Sequence, residues 1–164
     1  MFGLFNKQKG IKDLKENDLQ KLFDEAEKMY QSFSKQRNEI LTSDFERLKK
    51  TEQESPFDKF WIEETKRVIE NNEKELTEVK EVRDNVIKLF EREKYNTIEN
   101  RHFIIQDWYD YVHNLFWYVN LHFGDLNTPQ GRENRRKWNE AEEAKEIRLE
   151  EIARRLKAKL EQTK

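Results

Sequence analysis

The residues best placed for chemistry lie in one segment. Glu99, His102, Gln106, Asp110 and His113 recur at spacings of three and four, which puts them within about 80° of one another on a helix surface. Glu99 and His102 also share the Glu-x-x-His spacing of carboxylate-bridged di-iron bundles. Such a site needs two of these motifs on different helices, plus two further glutamates facing inward. Only one motif is present, and His102, His113 and His122 all belong to the same segment. On one helix His102 and His113 stand about 16 Å apart, too far to share a metal. The simpler expectation is a boundary His102 and a surface Asp110/His113 pair, with no metal and no cofactor. The chain also has no cysteine nucleophile, Gly-rich phosphate loop, Gly-x-Ser-x-Gly or His-Glu-x-x-His motif. With four glycines it has few tight turns from which to build an oxyanion hole, so a non-enzymatic protein is expected.

A second group points to phosphate. Arg132, Arg135, Arg136 and Lys137 flank Trp138, and Arg148, Arg155 and Lys159 follow along the same helix. Guanidinium groups suit phosphate contacts, which makes a nucleic-acid-associated accessory role the alternative reading. Glu133, Glu140, Glu142, Glu146 and Glu151 interleave these cations, however, and counterion release needs basic groups that their neighbours have not neutralised. A net charge of -2, from 32 basic and 34 acidic side chains, decides nothing by itself.

A third group points to protein. Residues 98–123 hold the densest run of aromatics, and two stripes of large side chains wind along it at helical spacing. One comprises Ile98, His102, Ile105, Tyr109, Val112, Phe116, Val119 and Phe123; the other comprises Ile104, Trp108, Tyr111, Leu115, Tyr118 and His122. Two stripes about 100° apart demand neighbours on two sides. The remaining third is polar, with Glu99, Gln106, Asp107, Asp110, His113 and Asn114. Phe103, Trp117 and Leu121 also lie there, as surplus apolar surface of the kind that marks a partner-binding site. At the other end of the chain, Phe2, Leu4 and Phe5 precede Lys7 and Lys9. This tip suits either a plug for one end of the core, a contact for a partner protein, or a peripheral membrane contact.

The elements that must position these groups are helices. Charged residues make up 40% of the chain against 35% hydrophobic, too little apolar material to wrap a sphere in so much charge. The periodic apolar positions argue against disorder. The expected fold is therefore all-α: an elongated antiparallel bundle of about four long helices with coiled-coil-like packing, forming one domain over residues 1–164. After the tip at 1–12, helix 1 is expected over 17–50, capped by Asn17 or Asp18. Its seam is Leu19, Leu22, Ala26, Met29, Phe33, Gln36 and Ile40, with a phase slip to Leu41, Phe45 and Leu48. Ser55 and Pro56 look like an N-cap and first position for helix 2, over 56–94. Its stripe is Trp61, Thr65, Val68, Asn72, Leu76, Val79, Val82, Val86 and Phe90, widened by Phe57, Phe60 and Ile69. Tyr95 to Thr97 form a joint, with Thr97 as cap, into helix 3 over 97–123, although one continuous helix from 56 is the competing arrangement. A short joint implies antiparallel neighbours. Gly124, Asn127, Pro129 and Gly131 signal a loop over 124–131. A charged helix 4 follows, starting at Pro129 or Arg132 and extending to about 162. Its thin seam of Trp138, Ala141, Leu149, Ile152, Leu156 and Leu160 leaves it half buried and open to pairing with another copy.

Together these observations describe a cytoplasmic adaptor, scaffold or stoichiometric inhibitor whose partner is another protein or a second copy. The bias to Lys, Asn, Glu and Ile fits an A+T-rich bacterial or phage genome, where small accessory proteins of this kind are common. If the tip plugs the core, deleting residues 2–5 lowers the melting temperature followed by circular dichroism. Unchanged melting with lost partner or membrane association would reverse that assignment.

Overall fold

The computed structural model describes residues 14–115 and 124–162. They form an all-α bundle of four helices, with no strand among the described residues: α1 (Glu16–Glu54), α2 (Lys59–Phe90), α3 (Ile98–Leu115) and α4 (Pro129–Glu161), with a 3-10 turn at Glu93–Tyr95. Helices 2 and 3 are therefore separate. The termini correct several expected caps. α1 starts one residue before Asn17, and Asp18 acts from within the first turn, its carboxylate accepting from the Lys15 N–H at 3.4 Å. It ends at Glu54, past the expected Lys50. α2 is capped by Asp58 instead of Ser55, because the Asp58 carboxylate accepts the Trp61 N–H at 3.3 Å while Ser55 and Pro56 remain in the turn. Thr97 caps α3 as expected, its hydroxyl accepting from Asn100 N–H at 3.3 Å. α4 begins at Pro129, the earlier of its two expected starts and inside the expected 124–131 loop, because Thr128 caps it through Gly131 N–H at 3.1 Å and Pro129 takes the first turn. Gly124, with φ of 65°, adopts the left-handed conformation that glycine adopts most readily.

α1 and α3 run in one direction and α2 and α4 return. Glu16 meets Arg101 at 3.6 Å, and further up Glu27 meets Trp108 at 3.1 Å, which fixes the parallel pair. At the other side Arg92 donates to the Leu160 carbonyl at 2.7 Å. α3 packs mainly against α1 and α4, and α2 closes the ring between α1 and α4. The joint after α2 thus leads to an antiparallel helix that lies largely across the bundle.

The core gathers Ala26 and Phe33 from α1, Val79, Val82, Val86 and Leu89 from α2, Ile104, Trp108, Tyr111 and Val112 from α3, and Ile152 and Leu156 from α4. Valine is a mediocre helix former, so the run in α2 shows packing deciding the helix. In both stripes of α3 the central residues Ile104, Ile105, Trp108, Tyr111 and Val112 are buried, His102, Tyr109 and Leu115 are half-buried, and Ile98 at its start is exposed. In α1 the slip resolves with Leu41 and Asp44 inward, leaving Gln36, Ile40 and Phe45 outside. In α2 the inward residues at the start are Ile62, Thr65 and Ile69, so the expected stripe of Trp61, Phe57 and Phe60 is displaced onto the surface.

Polar groups lock this core. The Arg83 guanidinium donates to Glu27 at 2.6 and 2.9 Å, and the Trp108 indole donates to the same carboxylate at 3.1 Å. Arg83 also lies over the Tyr30 ring at 5.2 Å. The hydrogen bond to Glu27 raises the Arg83 pKa against the opposing effect of burial, so the guanidinium stays charged. Replacing Arg83 with Ala leaves Glu27 half-satisfied, and the expected loss is about 2–3 kcal/mol in urea unfolding followed by tryptophan fluorescence.

Candidate functional site

The residues singled out for metal chemistry do not converge. Glu99 is exposed, Gln106 donates to Asp110 at 2.9 Å, and His113 is exposed and stacks on Tyr109 with ring centroids 5.8 Å apart. Asp110 pairs with Arg148 at 3.5 Å, in place of the expected Asp110/His113 pair, because α4 brings a full positive charge to it. Among the described residues no three histidines and carboxylates gather as metal ligands would. His102 does sit at the core boundary: its Nδ1 is buried without a hydrogen-bond partner, and burial lowers its pKa.

The basic candidates of α4 are largely occupied by the bundle's own carboxylates. Arg155 grips Asp107 in a two-point contact at 2.7 and 2.9 Å, and Lys159 approaches the same carboxylate at 3.7 Å. Asp107 had been placed on the polar third of its helix; it is buried because this pairing satisfies it. Arg148 pairs with Asp110, and Arg136 and Lys137 pair with Glu133, Arg136 also reaching Glu140. Arg132 donates to the Asn127 carbonyl at 2.8 Å, which ties the loop to its helix. Trp138 is half-buried and Arg135 remains at the surface. The cluster is thus a set of i to i+4 pairs and inter-helix locks more than a continuous positive face.

Of the residues proposed for partner binding, Phe103 is 49% exposed, its ring tilted against that of His102 with centroids 5.8 Å apart. Trp117, Leu121, Phe2, Leu4 and Phe5 lie outside the described residues.

A different aromatic group stands out at the α1–α2 turn. Asp58 N–H donates to the Ser55 carbonyl at 2.9 Å, and the same residue caps α2, so the chain reverses within four residues and throws Phe57 to the apex. Phe57 is 91% exposed, Phe60 70% and Trp61 59%, with Phe60 and Trp61 edge to face at 5.5 Å. Behind them Lys66 bridges to Glu52 at 3.3 Å and closes the two legs. The sequence disguised this tip, since residues 57, 60 and 61 repeat at helical spacing and imitate the start of a buried stripe. The available signal was position: a reversal marked by Ser-Pro leaves the end of a hairpin without neighbours to cover it.

With the geometry in view, comparison with known proteins adds no relative: no protein-family model, no curated protein and no solved structure matches the chain. No helix among the described residues is long and apolar enough to cross a membrane.

The buried imidazole gives a measurable pH dependence. A histidine whose folded pKa lies below its unfolded value favours the folded state while neutral, so that stability is full above about pH 6.5 and is lost as pH falls through that range. The urea midpoint is expected to fall between pH 7 and pH 5.5, with a smaller fall in His102→Phe.

Proposed function

We propose that this protein is a non-enzymatic protein-binding module that works in the cytoplasm as an adaptor or stoichiometric inhibitor. The observation that carries this reading is the aromatic tip of the α1–α2 hairpin, where Phe57, Phe60 and Trp61 expose most of their rings to water. Aromatic side chains have few rotatable bonds and large areas, so they supply binding energy at small cost in conformational entropy, and they dominate the centres of protein interfaces. The three rings offer roughly 400 Å² of exposed surface, the size of patch that on a single-chain protein commonly marks a contact site. The long, polar-walled helices behind the tip serve as a stiff mount, and their internal pairing of α4 cations weighs against the nucleic-acid alternative.

The test is site-specific photo-crosslinking in the native host. A benzophenone amino acid at position 57 or 60 is expected to yield an adduct of defined mass containing a second protein. The same group at position 80, on the exposed polar face of α2, is expected to yield none. Adducts to lipid alone, or no adduct at either tip position, would overturn the reading.

A further inference from the structure

The end of the bundle opposite the α1–α2 turn carries an apolar face of its own. On the first turns of α3, Ile98 is 41% exposed and Phe103 49%. At 100° per residue, Ile98, His102, Glu99 and Phe103 follow one another around about 140° of the helix. The core residues Ile104, Trp108, Tyr111 and Val112 occupy the other side. His102 is half-buried between the two exposed side chains, with its ring tilted against Phe103. Neighbouring helices meet α3 elsewhere: Arg101 reaches Glu16 and lies over the Phe90 ring at 5.7 Å, and Asp107 takes Arg155.

Carboxylates border this face. Glu99 lies within it, and Glu91 and Glu93 precede it in the joint, which Asn100 ties to α3 by donating to the Lys94 carbonyl at 2.9 Å. All three glutamates are exposed, and none forms an ion pair among the described residues. The cations nearby are directed to other groups. Arg92 donates to the Leu160 carbonyl, Lys94 lies over the Tyr95 ring at 5.8 Å, and Arg101 pairs with Glu16. The corner therefore combines exposed apolar area with unneutralised negative charge.

The chain that precedes α1 has the complementary composition and starts beside this corner. Residues 1–13 lie outside the described part of the chain, and they hold Phe2, Leu4 and Phe5, followed by Lys7, Lys9 and Lys12 against a single carboxylate, Asp13. Leu14, the first described residue, is half-buried, and Glu16 stands 3.6 Å from Arg101. Nine residues separate Phe5 from Leu14, enough to span up to about 30 Å. Ile98 and Phe103 are within about 5 Å of Arg101 along the helix axis. Other exposed apolar side chains are less accessible from there. Ile40 and Phe45 stand about 36 and 44 Å from Glu16 along α1, and Ile147 belongs to α4, which packs on α3 and α2.

We propose that the segment preceding α1 folds back over this corner. Phe2, Leu4 and Phe5 pack on Ile98, His102 and Phe103, and Lys7, Lys9 and Lys12 face Glu91, Glu93 and Glu99. Phe103, one of the side chains expected to receive a partner, is then covered by the chain's own end, while the aromatic tip at the far end of the bundle keeps its exposed surface. This inference does not rest on the proposed binding role, and either can fail without the other.

The test uses the full chain, whose lack of cysteine allows a single nitroxide label at Gly3→Cys. In amide NMR spectra the label is expected to remove most of the signal intensity of residues 98–103 and to leave residues 57–61 unchanged, relative to the same protein with the label reduced. The double variant Ile98→Ser, Phe103→Ser, whose sites are both exposed, should restore those signals, and the triple variant Lys7→Glu, Lys9→Glu, Lys12→Glu should restore them in part. Deleting residues 2–5 should lower the melting temperature of the natural chain and leave that of the double variant unchanged, because the two changes remove the same contact. Full intensity at residues 98–103, loss that persists in either variant, or equal lowering of the melting temperature in both backgrounds would overturn the proposal. So would the same loss in a mixture where label and isotope are on different molecules, which would place the segment of a second copy on this face.

Discussion

Two neighbouring residues of α3 set the register of the bundle. The Trp108 indole donates to Glu27 of α1, which also holds Arg83 of α2, while the Asp107 carboxylate takes Arg155 of α4. All four helices are thereby tied at one level by two carboxylates. Apolar stripes alone tolerate sliding by a turn, because one leucine or valine packs much like the next. A carboxylate taken from water tolerates no such shift, since losing its partner leaves a poorly solvated charge. The core packs on both sides of this level, and Trp108 and Leu89 are its largest fully buried side chains.

The packing is uneven along the bundle. The main core cluster gathers around the α3 level, whereas at the turn between α1 and α2 Phe57, Phe60 and Trp61 are exposed. Aromatic side chains there would be a liability on a protein that works alone. On the binding module proposed above they would form the contact.

The two stripes of the aromatic helix could be read directly, because 3.6-residue periodicity puts Ile104, Trp108 and Tyr111 on one line and Ile105 and Val112 on another, and both are buried. Thr97 was legible as a helix start by its type and its neighbours, and Pro129 as a first helical position. The start of α2 was misread, since Phe57, Phe60 and Trp61 have the spacing of a core stripe and periodicity carries no information about whether a partner helix is present. Asp107 looked like a surface residue for a related reason: the cation that makes its burial affordable lies 48 residues away.

Local chemistry was enough to determine that the chain is helical, roughly where its helices run and which faces of α3 are apolar, because these depend on contacts within a few residues. Tertiary structure alone decided which helices lie side by side, which charges are spent within the bundle, and which aromatic residues meet water. Those outcomes depend on pairs such as Glu27 with Arg83 and Trp108, whose members are far apart in the chain and meet only when four helices pack at once.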